Sequence, residues 1–236
     1  VANVTETFLQ AVSQATGASH VISGVTIPAG KLAVLRMVYG SESRTITSVV
    51  DSAGNTWSQA LNKVGTGLGC SYSIWYCVLT NPLSAGTITT TISAAGATWG
   101  ADLAYFDSDT GWLPQASVLD VVKSNAVNNN ANWTTGATPA RTQAEEIGVG
   151  GCHRINVNGG TSTPVAGWTE ESERAVTNVE TNNKLVSQWQ KFSATGTDAC
   201  AGTWSAAEYW VCGVATFKMA AGGTPPAETD NFFAFI

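Results

Sequence analysis

The stretch Thr45–Val64, TITSVVDSAGNTWSQALNKV, decides the reading of this chain. Two runs with β-type alternation, Thr45–Asp51 and Thr56–Val64, flank the turn DSAGN, Asp51–Asn55. Asp and Asn side chains hydrogen-bond local backbone, and Gly54 accepts a positive φ, so this is hairpin chemistry. The same pattern repeats outward. Toward the N-terminus lie Lys31–Gly40 and His20–Ile27; toward the C-terminus lie Cys70–Leu79, Thr87–Ser93 and Trp99–Asp107. Ser117–Ser124, Glu145–Arg154, Lys184–Phe192 and Glu208–Lys218 complete the series. About eleven strands at this spacing predict an all-β, antiparallel, jelly-roll-like sandwich. TITTTIS (Thr87–Ser93) suits a half-buried strand with hydroxyls on the wet face. EYWVCGVATFK (Glu208–Lys218) is apolar on both faces and suits a central strand.

Outside these runs the pattern weakens. Val4, Phe8, Ala11 and Val12 allow a mild helix, and an extended N-terminal arm over 1–18 fits equally. The polar stretch Asn125–Gln143 reads as a long surface connection. AAGGTPPAETD (Ala220–Asp230) is the one spacer: its prolines favour extended backbone and donate no ladder hydrogen bonds. The expected organisation is therefore an arm over 1–18, a sandwich over 19–220, and a linker and tail over 221–236.

Composition excludes several classes. The chain is 44% hydrophobic and 12% charged, about half the usual charged share, which argues against disorder. Net charge is -6, and the eleven Lys and Arg residues are scattered, so neither a nucleic-acid nor an anionic-membrane partner is expected. No apolar run reaches the roughly 18 residues of a membrane span. The opening VANVTETFLQAVSQATG has no signal-peptide pattern. A signal already removed or an initiator Met lost before Val1 both account for it, and the second fits a protein folded in the cytoplasm.

No chemistry is named. A GxSxG elbow is absent. Cys152 and His153 are adjacent, so on a strand they point to opposite faces, a core thiol beside a surface imidazole. The cysteine count is odd (Cys70, Cys77, Cys152, Cys200, Cys212) and lacks CxxC, so neither a disulfide framework nor a zinc site is signalled. Cys200 and Cys212, flanking a turn expected near Ser205–Ala207, are the pair to watch. No cofactor or metal is expected; the nearest approach to a cation site is Asp107 and Asp109, at i and i+2 at a strand end. The acidic run WTEESER (Trp168–Arg174) reads as a solvated loop. Nine tryptophans are an excess. Trp112, Trp133 and Trp168 fall in predicted loops, where they either cover the sandwich ends, stack on a glycan or contact a protein.

ITSVVDSAGNTWSQA, SIWYCVLTNPLSAGTITTTIS, GADLAYFDSD and WVCGVATFKMA, in that order, resemble a loose group of jelly-roll domains in phage virion proteins and bacterial surface or secreted proteins. The resemblance spans roughly 20–220 and brings no catalytic residues. It implies a non-enzymatic virion decoration, spike or fibre component, located in the virion and assembled in the host cytoplasm. Own subunits, with a trimer implied, or other virion proteins would be its partners. The alternative is an extracellular or cell-surface carbohydrate-binding module, and a host-surface glycan suits either reading. The tail adds a residue-level argument: Phe232, Phe233, Phe235 and Ile236 follow the spacer, and burying each fully is worth roughly 1.5–3 kcal/mol. They either fold back on the sandwich or dock on a neighbour, and the Pro-stiffened linker favours reach.

Overall fold

A computed structural model describes residues 2–14, 17–95, 99–155, 161–175 and 184–221. The tail Phe232, Phe233, Phe235 and Ile236 lies outside the described residues. The described chain is all-β, a layered antiparallel sandwich with one short helix, α1 (Gln115–Val118).

The central layer holds β1 (Val4–Gln14), β8 (Trp99–Ser108), β3 (Leu32–Tyr39), β6 (Cys70–Val78) and β5 (Ser58–Gly65), in that order. Every residue of β3 is buried. Leu32, Val34 and Val38 enter one core, while Ala33, Leu35, Met37 and Tyr39 enter another. Strict alternation with both faces buried makes β3 the middle of a stack. On one side lies a small sheet of β2 (Ser19–Ile27), β7 (Leu83–Ile92) and β4 (Ile46–Asp51). Its inward Ile88, Thr90 and Ile92 are buried, and Thr87, Thr89 and Thr91 face outward.

On the other side lies a larger sheet, in the order β11 (Ser162–Pro164), β14 (Ala201–Lys218), β10 (Glu145–Ile155), β13 (Lys184–Ser193), β12 (Thr169–Ala175), with β9 (Leu119–Thr134) also paired to β14. Ile147, Val149, Leu185, Val211, Ala215 and Phe217 face the central layer. Trp133, Cys152, Trp168, Trp204, Trp210 and Cys212 form a third core on the far face. That core is closed by β9 and β14 doubling back. Asn125 Nδ2 donates to Thr134 O at 3.1 Å, although nine extended residues span about 30 Å. Asn129, with φ 56°, sits in the bend, a conformation Asn tolerates.

Three expectations are corrected. The N-terminal residues are not a helix or a free arm: Val4–Gln14 pair with β8 as the edge of the central sheet. Asn125–Gln143 is not simply a connection, because β9 runs to Thr134. Ser205–Ala207 is not a turn between strands: it lies within β14, where the register with β9 jumps between Thr203 and Glu208.

The DSAGN turn closes no hairpin, because β4 pairs with β7 in the small sheet and β5 with β6 in the central one; it is a hydrogen-bond hub between the two layers. The Asp51 carboxylate accepts from Ala53 N (2.9 Å), Asn55 N (3.1 Å), Asn55 Nδ2 (3.1 Å) and Trp57 Nε1 (2.8 Å). Asn55 Oδ1 accepts from Thr80 N and Asn81 N, tying this turn to the β6–β7 connection. Hydrogen bonds to a charged group contribute about 1.5–3 kcal/mol each and are not additive. Asp51→Ala is therefore expected to lower stability by about 3 kcal/mol, read as a reduced urea midpoint at unchanged m-value.

Candidate functional site

The residues singled out by sequence are scattered and occupied. Trp112, Trp133 and Trp168 are 8%, 0% and 6% exposed. Trp112 Nε1 donates to Phe106 O and Trp133 Nε1 to Ser162 Oγ. Their rings close the ends and far face of the sandwich, and little ring surface is left for stacking on a sugar. Asp107 pairs with Lys31 Nζ at 2.5 Å, and Asp109 accepts from Asn3 N and Nδ2. Among the described residues no group of three or more His, Cys, Asp or Glu side chains could hold a metal. All five cysteines are buried free thiols. Cys152 and Cys212 are direct cross-strand partners. His153 does lie on the face opposite Cys152, but it is buried against the central layer, not on the surface.

What the structure does assemble is a buried ionic cluster between the central and larger sheets. Its hub is Arg36, in the middle of β3, with no side-chain exposure. The cross-strand partner of Arg36 on β8 is Asp102, whose Oδ2 accepts from Ser187 Oγ of β13 at 2.7 Å. Glu171 reaches Arg36 from β12 and is equally buried. It gets there through a bulge: the register jumps between Glu170 and Ser172, leaving Glu171 without a cross-strand partner. Bulges re-aim side chains in this way. WTEESER is thus an edge strand, not a solvated loop. Glu6 of β1 completes the group, its carboxyl close enough to that of Glu171 for one proton to bridge them. Two carboxyls bond only when one is protonated. Burial pushes Glu171 up to about 7 against the pull of Arg36, and burial raises Glu6 in the same way.

A second acid pair sits on the far face of the larger sheet. Asp120 of β9 accepts from Thr142 N (2.6 Å) and Thr142 Oγ1 (2.5 Å), and Lys218 Nζ lies 3.5 Å away. Burial alone would raise Asp120, but the Thr142 bonds outweigh it and hold this carboxyl low. The adjacent Glu146 has no exposed surface, and its burial, with the Asp120 charge beside it, pushes it up to about 7. A third buried ion pair, Arg154 with Glu208 at 3.5 Å, lies beside the Trp204 ring.

These groups set a pH dependence. Glu171 and Glu146 have folded values above the ordinary 4.5, so their contribution is full below about 4.5 and lost as pH rises through about 7. Burial holds His153 down at about 4, so its contribution is present above about 6.5 and lost as pH falls toward 4. Burial also lowers His20 and raises Glu6, so three raised carboxyls stand against two lowered imidazoles. Stability is expected to rise from pH 8 to pH 6, and Glu146→Gln should flatten that rise. Urea midpoints across this range check it; a wild-type profile that falls from pH 8 to pH 6 contradicts it.

Comparison with protein-family models, characterised proteins and solved structures found no match to this chain. Its own geometry therefore carries the functional reading. Among the described residues no helix is long and apolar enough to cross a membrane.

Proposed function

We propose that this chain is a non-enzymatic structural protein of a bacteriophage virion, a capsid decoration, spike or fibre component that assembles through its chain ends. One observation carries the reading beyond the sequence resemblance: Ala2 and Met219–Ala220, near the two limits of the described residues, lie at one pole of the body. Ala2 N donates to Glu145 Oε2 at 3.2 Å, and Met219 N donates to Glu145 O at 3.1 Å. Beside them, Asn3 N is held by Asp109 Oδ1 and Ala220 N donates to Gly111 O at 3.0 Å. A body anchored at that pole presents its opposite pole outward, as a displayed component must. The apolar residues 232–236, spaced from that pole by the Pro/Gly linker, are the proposed docking segment, on its own subunits or on another virion protein.

The carbohydrate-binding alternative rests on Trp112, Trp133 and Trp168, and the burial of all three rings weighs against it. The virion reading is tested by gradient-purified particles from the lysate in which this chain is expressed. The protein is expected in the particle band at constant stoichiometry. Its recovery only in the free soluble fraction contradicts the proposal.

A further inference from the structure

The Arg36 cluster holds more acid than base. Three carboxylates, Glu6, Asp102 and Glu171, surround one guanidinium. The other described groups facing it add no cation: Tyr72 from β6, Ser187 and Trp189 from β13, and the backbone at Gly151 of β10 beside the Tyr72 hydroxyl. Arg36 itself stays charged, since a guanidinium does not lose its proton in a protein. Among the described groups, this buried inventory comes nearer to neutrality by binding protons.

The position of Glu171 gives that proton a mechanical consequence. β12 is the terminal strand of its sheet and pairs there with β13 alone. Glu171 sits at the bulge of β12 and crosses to Arg36 on the central sheet. The strand is thus held by a ladder on one side and by a charged contact across the interlayer space.

We propose that the Arg36 cluster is a proton-operated latch: with a proton shared by Glu6 and Glu171 it ties β12 to the central sheet, and loss of that proton releases the strand. In the closed form Arg36 faces two negative charges, that of Asp102 and the single remaining one of the Glu6–Glu171 pair. Deprotonation adds a third beside Arg36 and Glu171, whose side chains have no exposure. The unit that relieves it at least cost is β12, because freeing an edge strand breaks one ladder and hydrates Glu171. β3 and β8 are each paired on both sides and stay in place.

Hydrogen–deuterium exchange of the full chain tests the latch, read as protection factors so that the intrinsic rate change with pH is removed. Peptides covering β12 are compared at pH 6.0 and 8.5 with peptides covering β5, also a terminal strand. Wild-type β12 is expected to lose protection by about tenfold or more, the equivalent of one unit in the acid's affinity for its proton, while β5 does not. Glu171→Gln keeps the shape without the titration, and its β12 should be protected equally at both pH values. If that variant fails to accumulate, Glu6→Gln serves the same comparison and should weaken the pH effect. Equal pH profiles for β12 in wild type and variant overturn the latch. So does a loss of protection spread evenly over β3, β8 and β12, which would mark global destabilisation.

Discussion

Arg36→Met is expected to destabilise the fold by about 3–5 kcal/mol at pH 8, the usual cost of removing one partner from a buried charge group. Arg36 has no side-chain exposure, and its removal leaves Glu6, Asp102 and Glu171 facing one another. The acids then relieve their repulsion only by taking up protons. The loss should therefore shrink markedly at pH 5, where Glu171, pushed up to about 7 by burial, is neutral, and methionine fills much of the arginine stem. Urea denaturation of wild type and variant at both pH values measures this. A loss of the same size at pH 5 and pH 8 would mean that the side chain acts by packing, with its charge compensated elsewhere.

Gly151→Ala should be at least as costly, for a steric reason. Gly148, Gly150 and Gly151 lie in the middle of β10, which is paired on both sides by β13 and β14. A Cβ on Gly151 would fall inside the Val186 carbonyl oxygen of β13, with the Tyr72 hydroxyl 3.1 Å away on the other side. A Cβ on Gly150 would lie 2.6 Å from Gly213 O and 2.9 Å from Cys200 Sγ. Neither obstacle is a flexible side-chain end; one is the backbone of the neighbouring strand. Over-packing costs typically 1–3 kcal/mol and more where backbone must shift. Gly151→Ala is expected to exceed 3 kcal/mol or to yield no soluble folded protein. Gly54→Ala, where nothing lies within 4 Å of the added carbon but φ is +74°, is the milder control. A Gly151→Ala protein with a wild-type urea midpoint would mean that β10 and β13 are not paired in this register.

Much of this fold was legible in the sequence because its strands obey a period of two. Leu32–Tyr39 and Glu208–Lys218 are apolar on both faces, and both prove to be interior strands of layered sheets. The alternation of Ile88, Thr90 and Ile92 with Thr87, Thr89 and Thr91 gave the orientation of β7 correctly. The misses have a common cause, in that pairing overrode local preference. β9 is rich in Asn, which disfavours strands, yet it is strand because the long β14 offers it a ladder. The acidic run around Glu171 looks solvated until a bulge, which no local pattern announces, turns one carboxyl inward.

The cluster did leave a signal. Arg36 stands inside KLAVLRMVYG and Asp102 inside WGADLAYFD, each a charge in the interior of a strand that is mostly apolar on both faces. A charge in that setting must find an opposite charge, and these two are cross-strand partners. The other two acids could not be inferred, since Glu6 and Glu171 come from sheet edges far apart in sequence. Of the readings open for Trp112, Trp133 and Trp168, the structure shows the first, rings that cover the sandwich, and it places Trp133 on β9 and not in a loop.

The central claim is the proposal that residues 232–236, joined to the body where Met219 and Ala220 bond to Glu145 and Gly111, assemble it. Native mass in solution tests it most directly, for the full chain and for a version ending at Ala221. The full chain is expected to be oligomeric and the truncated one monomeric with an unchanged urea midpoint. Identical monomeric masses for both would contradict the account.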